Sequence, residues 1–222
     1  MAKFITKFDT TAEFATFSAT TDFGRPHVSL IKDDSKVHYF VNDPYNGHEY
    51  VDLGLPSGTK WATMNVGASS ETDYGNYYQY GKGAAQYAAT SGDSAYSGIE
   101  NTLAASADTA VQVWGGQWHM PTVEQMQELI DNTTYKWEEY YKGSKINGGT
   151  FTAKNGAVLF FPAAGTLDYG GQYGVDGFGS YWSSSLFTDN RKNAYFLSFY
   201  DGYNGVLDGG SEGGCSVRPV VG

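Results

Sequence analysis

"YWSSSLFTDNRKNAYFLSFYDGYNGVLDGGSEGGCSVRPV", Tyr181 to Val220, is the stretch whose reading decides the fold. Its middle, "NAYFLSF", alternates as a strand does, setting Tyr195, Leu197 and Phe199 on one face and Phe196, Ser198 and Tyr200 on the other. Both faces carry aromatics, where a solvated outer face would carry charge or Thr. Two readings follow: a strand buried on both sides, or a strand whose Phe196 and Tyr200 are outward anchors. Around them Phe187, Asn190, Arg191, Tyr203, Asn204, Leu207 and Asp208 are expected on loops. Tyr mixed with Gly, Ser and Asn suits an adaptable binding surface, because rigid rings supply contact area and small polar residues supply hydrogen bonds. The closing "SVRPV" reads as a strand, so the glycine-rich part between is held at both ends, with Val206 turned inward.

Working outward, "WHMPTVEQMQELIDN" predicts a helix capped by Thr122, with Gln125 completing a capping box and Val123, Met126, Leu129 and Ile130 on one apolar face. "AVLFFPAAG" predicts a buried strand ending at Pro162, and "EYVDLGLPSGTKWATMNVGA" two strand-like runs about a turn. The run from Gly81 to Ala110 is rich in small residues and predicts a long, partly irregular connection. At the start, Thr10 and Glu13 form a second capping box for a short helix carrying Phe14 and Phe17, and "HVSLI" and "KVHYFV" flank "KDDS" as a hairpin. The turn cluster "NDPYNG" marks a boundary. The expected organisation is a helix-plus-hairpin module over residues 1–46, for attachment or oligomerisation, and a main domain over residues 47–222. The expected class is α+β: short, twisted, mainly antiparallel strands, one or two helices and long loops.

The chain has 222 residues, enough for a well-buried core; 29 glycines and 18 tyrosines point to many turns and to rings shared between core and surface. A net charge of −10 without clustered Lys or Arg argues against nucleic-acid binding. The N-terminus has no continuous apolar core of a signal peptide, and no run approaches a membrane span. His27, His38, His48 and His119 lack metal-site spacing, and Cys215 stands alone. Asp168, Asp176, Asp189, Asp201 and Asp208 follow no EF-hand spacing. "GDSAYSG" lacks the frame of a nucleophile elbow, and Glu138 with Glu139 reads as solvated surface. The expectation is therefore no catalytic residue, no metal and no cofactor.

In order along the chain, "EYVDLGLPSGTKWATMNVGA", "DYGNYYQYGK", "WHMPTVEQMQELI", "FFPAAG" and "YWSSS…NAYFLSF…SVRPV" resemble a paralogous domain abundant in Bacteroidetes and Fibrobacter proteins, over roughly residues 48–221. The resemblance implies a C-type-lectin-like fold. Within that family, the C-terminal pattern is similar to the variable region (about 181–220) of ligand-binding proteins diversified by retroelements. A constant frame would then comprise Tyr181, Trp182, Ser183, Ser184, Tyr195, Leu197, Phe199, Val206, Ser216, Val217 and Arg218. The ligand-binding, diversifiable positions would be Phe187, Asp189, Asn190, Arg191, Phe196, Ser198, Tyr200, Asp201, Tyr203, Asn204, Leu207 and Asp208. The N-terminal module resembles the start of virion proteins from phages of gut Bacteroidales.

The chain lacks the cysteine pair of the related formylglycine-generating enzymes and the calcium-dependent sugar-binding phrases of true lectins. The resemblance thus implies a non-enzymatic receptor- or ligand-binding protein, a phage tail component or surface adhesin located on a virion or outside the cell. Its partner would be a host-surface or environmental protein or glycan, with homo-oligomers among the arrangements allowed. The alternatives are an enzyme on the same fold, or a purely structural virion or surface subunit.

Overall fold

A computed structural model describes residues 45–85, 100–168 and 171–222 in full, and the backbone of residues 5–8, 27–33 and 36–42. The chain divides into two compact units, Met1–Gly47 and His48–Gly222. In the first, β1 (Ile5–Phe8) lies parallel to β2 (His27–Asp33), which pairs antiparallel with β3 (Lys36–Asn42). The predicted hairpin strands are β2 and β3; β1 had no signal in the sequence reading. The helix expected from Thr10 lies outside the described residues.

The second unit runs β4 (Tyr50–Val51), β5 (Lys60–Ala62), β6 (Tyr78–Gln79), α1 (Thr109–Val113), α2 (Val123–Asn132), β7 (Thr133–Glu138), β8 (Gly148–Ala153), β9 (Val158–Pro162), β10 (Thr166–Asp168), β11 (Gly171–Tyr173), β12 (Phe178–Leu186), β13 (Asn193–Tyr200), β14 (Tyr203–Gly210), β15 (Gly214–Cys215) and β16 (Val220–Val221). They form four small sheets, ordered β16-β5-β4, β11-β10-β15-β6, β7-β8-β9 and β12-β13-β14. Every pairing in this unit's sheets is antiparallel, and the architecture is mixed and mostly β.

The predicted helix is α2. Thr122 accepts from the Gln125 N–H, and the Gln125 side chain accepts from the Thr122 N–H at 2.9 Å, so two N–H groups that the helix leaves open are satisfied reciprocally. Its buried face, Met126 and Leu129, meets Trp61, Phe151, Leu159, Phe161, Tyr181, Leu197 and Phe199 in one core, with Ile130 and Val206 at its margin. Aromatic rings there meet edge to face, as Phe161 does with Tyr181 at 5.0 Å between centroids.

Two expectations are corrected. Tyr203–Gly210 is strand β14 rather than a loop, in unbroken register with β13 from Tyr200↔Tyr203 to Asn193↔Gly210. The closing phrase is not one strand: Ser216 makes an isolated bridge to Tyr181, and pairing resumes at β16, where Val220 faces Trp61. Pro219 between them has no N–H to offer a ladder.

Candidate binding face

The β12-β13-β14 sheet carries the sequence-predicted positions, and its inner side is the core. Leu197 and Phe199 of β13 are 0% exposed, Tyr181 of β12 is buried against them, and Val206 of β14 packs on the same cluster. No Cβ fits at Gly179, opposite Phe199, because it would stand 2.2 Å from Phe199 Cζ. A glycine there lets the ring lie flat on the backbone of β12.

Behind the sheet, Arg218 locks the closing segment to the start of the unit. Its Nε donates to Asn65 Oδ1 at 2.7 Å and its Nη1 to the carbonyls of Ala62 and Thr63, while its guanidinium lies over the Phe161 ring. Burial lowers its pKa to about 10, with Tyr181 and Glu71 acting in the opposite sense. Asn65 Nδ2 donates to the Tyr181 hydroxyl, which donates to the Pro162 carbonyl at 2.6 Å. Burial pushes the Tyr181 phenol well above its ordinary value, so it serves as a donor and not as a base. Trp182 Nε1 donates to the Tyr78 carbonyl, fixing β12 to β6.

The outer side differs. Tyr200, 47% exposed, stacks on Tyr203 with centroids 4.8 Å apart, and Leu207 is 43% exposed. Phe196 is half-buried, its ring against the Trp182 edge and over Gly209. Ser198 shares this side by register but is buried, 7% exposed, between Ser180 and Gly205; the Tyr203 ring folds over that glycine. Ser198 therefore offers no surface to a ligand.

Strand parity separates the remaining positions. Asn204 pairs with Phe199 and Asp208 with Tyr195, so both lie on the core side of the sheet, beyond its margin. Asp208 there accepts from Asn193 Nδ2 at 2.8 Å. Asp201 is exposed in the two-residue turn with Gly202, whose φ of 78° suits glycine. This turn is tied down by Tyr135, whose hydroxyl donates to the Tyr200 carbonyl at 2.8 Å.

Phe187, Asp189, Asn190 and Arg191 sit at the far end of the hairpin, about 24 Å away along an eight-residue strand. Phe187 packs edge-on against Tyr195, Arg191 donates to Asn101 Oδ1 and the Glu100 carbonyl, and Asn190 closes the loop by accepting from the Lys192 N–H. The twelve positions thus form a tyrosine end, a loop end and a strand between them.

Tyr173, the most exposed large ring among the described residues, carried no signal in the sequence. It contacts Phe178, which pairs with Tyr200 across β12 and β13, and so extends the aromatic row beyond the hairpin. Short β10–β11 pairing places it, which no local pattern reveals.

Other sites carry less chemistry. Cys215 is buried with its thiol pushed up to about 12 by burial, hence unreactive. Asp108 caps α1, accepting from the N–H groups of Val111 and Met120, and burial raises its pKa. His48 stacks on Trp114 at 3.6 Å, and His119 contacts the Met120 carbonyl. Among the described residues, no group of three His, Cys, Asp or Glu side chains is placed to hold a metal ion, and no helix is long and apolar enough to cross a membrane. A cleft of about 310 Å³ lies between Asp131–Thr134 and Thr152–Lys154.

The chain matches no protein-family model, no curated protein and no solved structure.

Proposed function

We propose that residues 48–222 are a ligand-binding module of C-type-lectin-like architecture, non-enzymatic, whose C-terminal hairpin is a diversifiable recognition surface on a phage tail or cell-surface adhesin. The observation that carries this reading is the division of labour within β13. Its inward Leu197 and Phe199 are fully buried in a core braced by Arg218, whereas Tyr200 and, across the turn, Leu207 are open to solvent and Tyr203 is partly so. Tyr200, Tyr203 and Leu207 can be exchanged without touching the buried core that holds the backbone, which is what a variable recognition surface requires. The tyrosine end is the centre of the surface, because exposed rings there are held by a tied turn and lose little freedom on contact.

The ligand is a surface macromolecule, protein or glycan. Labelled protein is applied to a glycan array and to a panel of intact gut bacteria, beside the variant carrying Tyr200→Ser and Tyr203→Ser. The expected result is retention on at least one target and its loss in the variant. Retention that survives both substitutions would place recognition elsewhere. Diversification has its own test in the gene neighbourhood: a reverse transcriptase and a repeat that differs from codons 181–220 only at adenines.

A further inference from the structure

β14 is an edge strand, and among the described residues no other strand pairs with its outer edge. Asn193 accepts from the Phe187 N–H on the β12 side, while Ser180 and Trp182 of β12 bond outward to Ser216. Odd-numbered residues of β13 therefore bond β12, and even-numbered ones bond β14. Across the ladder, Tyr203, Gly205, Leu207 and Gly209 face β13, and the backbone groups of Asn204, Val206, Asp208 and Gly210 point away from it. Those outward groups make no hydrogen bond to any described residue, and no residue of β14 is buried.

Open edges normally carry a guard against pairing: a lysine, a proline, a bulge. The edge strands of the β7-β8-β9 sheet have such guards, with Lys136 paired to Glu138 on β7 and Pro162 ending β9. β14, "YNGVLDGG", has no lysine or proline, and its register with β13 is unbroken. The sequence leaves this edge fit to pair.

We infer that the occupant is a second copy of the same strand, paired antiparallel about a two-fold axis at Val206. In that register each large residue on the open side meets a glycine: Tyr203 faces Gly209 of the second copy and Leu207 faces its Gly205. On the other side Asn204 faces Asp208, an amide opposite a carboxylate, at both ends of the interface. No like charges are opposed, and Val206 meets itself. Moving the axis to Leu207 would set Asp208 against Val206 and glycine against glycine. A single patch that is complementary to itself is what a two-fold interface requires.

The product is a continuous six-stranded sheet with both open sides facing the same way, which joins two tyrosine surfaces into one bivalent platform. The inference goes beyond the recognition role and does not depend on it.

The test is oligomeric mass by light scattering and sedimentation over a concentration series of the full chain, with near-ultraviolet circular dichroism to verify folding. The wild type should reach twice the 24.1 kDa chain mass. Asn204→Asp opposes two carboxylates at each end and should weaken the dimer roughly ten-fold. Adding Asp208→Asn to that variant should restore it. Asp208→Pro removes one outward N–H and should leave a folded monomer. A wild type that stays monomeric throughout overturns the inference, as does a dimer indifferent to Asn204→Asp or to Asp208→Pro. Because ligand retention is read separately through Tyr200 and Tyr203, a monomer that still binds refutes only the dimer.

Discussion

Serine at Phe196 should cost more stability than serine at Tyr200 or Tyr203, although all three rings lie on the open side of one hairpin. Fully burying a Phe is worth about 1.5–3 kcal/mol and an aromatic pair about 0.5–1.5 kcal/mol more. Phe196 is half-buried and meets Trp182 edge-on. Phe196→Ser should therefore cost about 2 kcal/mol, a fall of roughly 4–8 °C in Tm for a unit of this size. Tyr200 is 47% exposed and keeps its backbone tie to Tyr135 whatever its side chain, so Tyr200→Ser should cost about 1 kcal/mol, mostly the lost stack on Tyr203. Tyr203→Ser forfeits the same stack, so the double variant should lose less than the sum of the singles. Leu197→Ala, at 0% exposure, sets the scale for a true core loss at about 3–5 kcal/mol. Thermal melts by circular dichroism resolve these differences. A Tyr200→Ser, Tyr203→Ser protein as damaged as Leu197→Ala would refute the division between a buried frame and a free surface.

Gly179→Ala should destabilise by about 1–3 kcal/mol or more in denaturant titrations, because its Cβ meets the immobile Phe199 ring and not a flexible side chain. Adding Phe199→Leu should recover part of the loss; an alanine tolerated in the wild-type background would contradict the close approach of ring and strand. Stability should also decline in strong alkali. Burial raises the Tyr77 phenol from 10.0 to about 12 and the Cys215 thiol from 9.0 to about 12, so the folded chain binds more protons than the unfolded one in that window. Their contribution is intact below pH 9 and is lost as pH rises through 12, and Cys215→Ala should flatten the part that begins near 9 in a pH series of denaturation midpoints.

Local chemistry made some of this legible. α2 could be read because Thr122 and Gln125 announce a cap and its apolar spacing matches a helix. The inward set of β13 could be read because Leu197 and Phe199 alternate across a strand. β14 was not read: its three glycines and one aspartate have little strand propensity, and it is a strand because β13 pairs with it. The signal that could have found it is Asp201-Gly202 between two tyrosines, a two-residue hairpin turn. That omission also misplaced Asn204 and Asp208, whose sides are fixed by ladder parity. Ser198 looked outward by alternation, yet it is buried between its ladder partners Ser180 and Gly205, the second of which lies under the Tyr203 ring.

The three-stranded sheet in which β5 lies between β4 and β16 has a consequence for how the unit can be used. Val51 of the first strand and Val220 of the last both face Trp61 of their shared neighbour, so these strands lie only about 10 Å apart. Such a unit can be spliced into an exposed loop of an unrelated host without stretching either chain, or its ends joined and new ones opened elsewhere. The seam lies in a different sheet from the hairpin, so a library varied at Tyr200, Tyr203 and Leu207 could be carried into any host as a cassette.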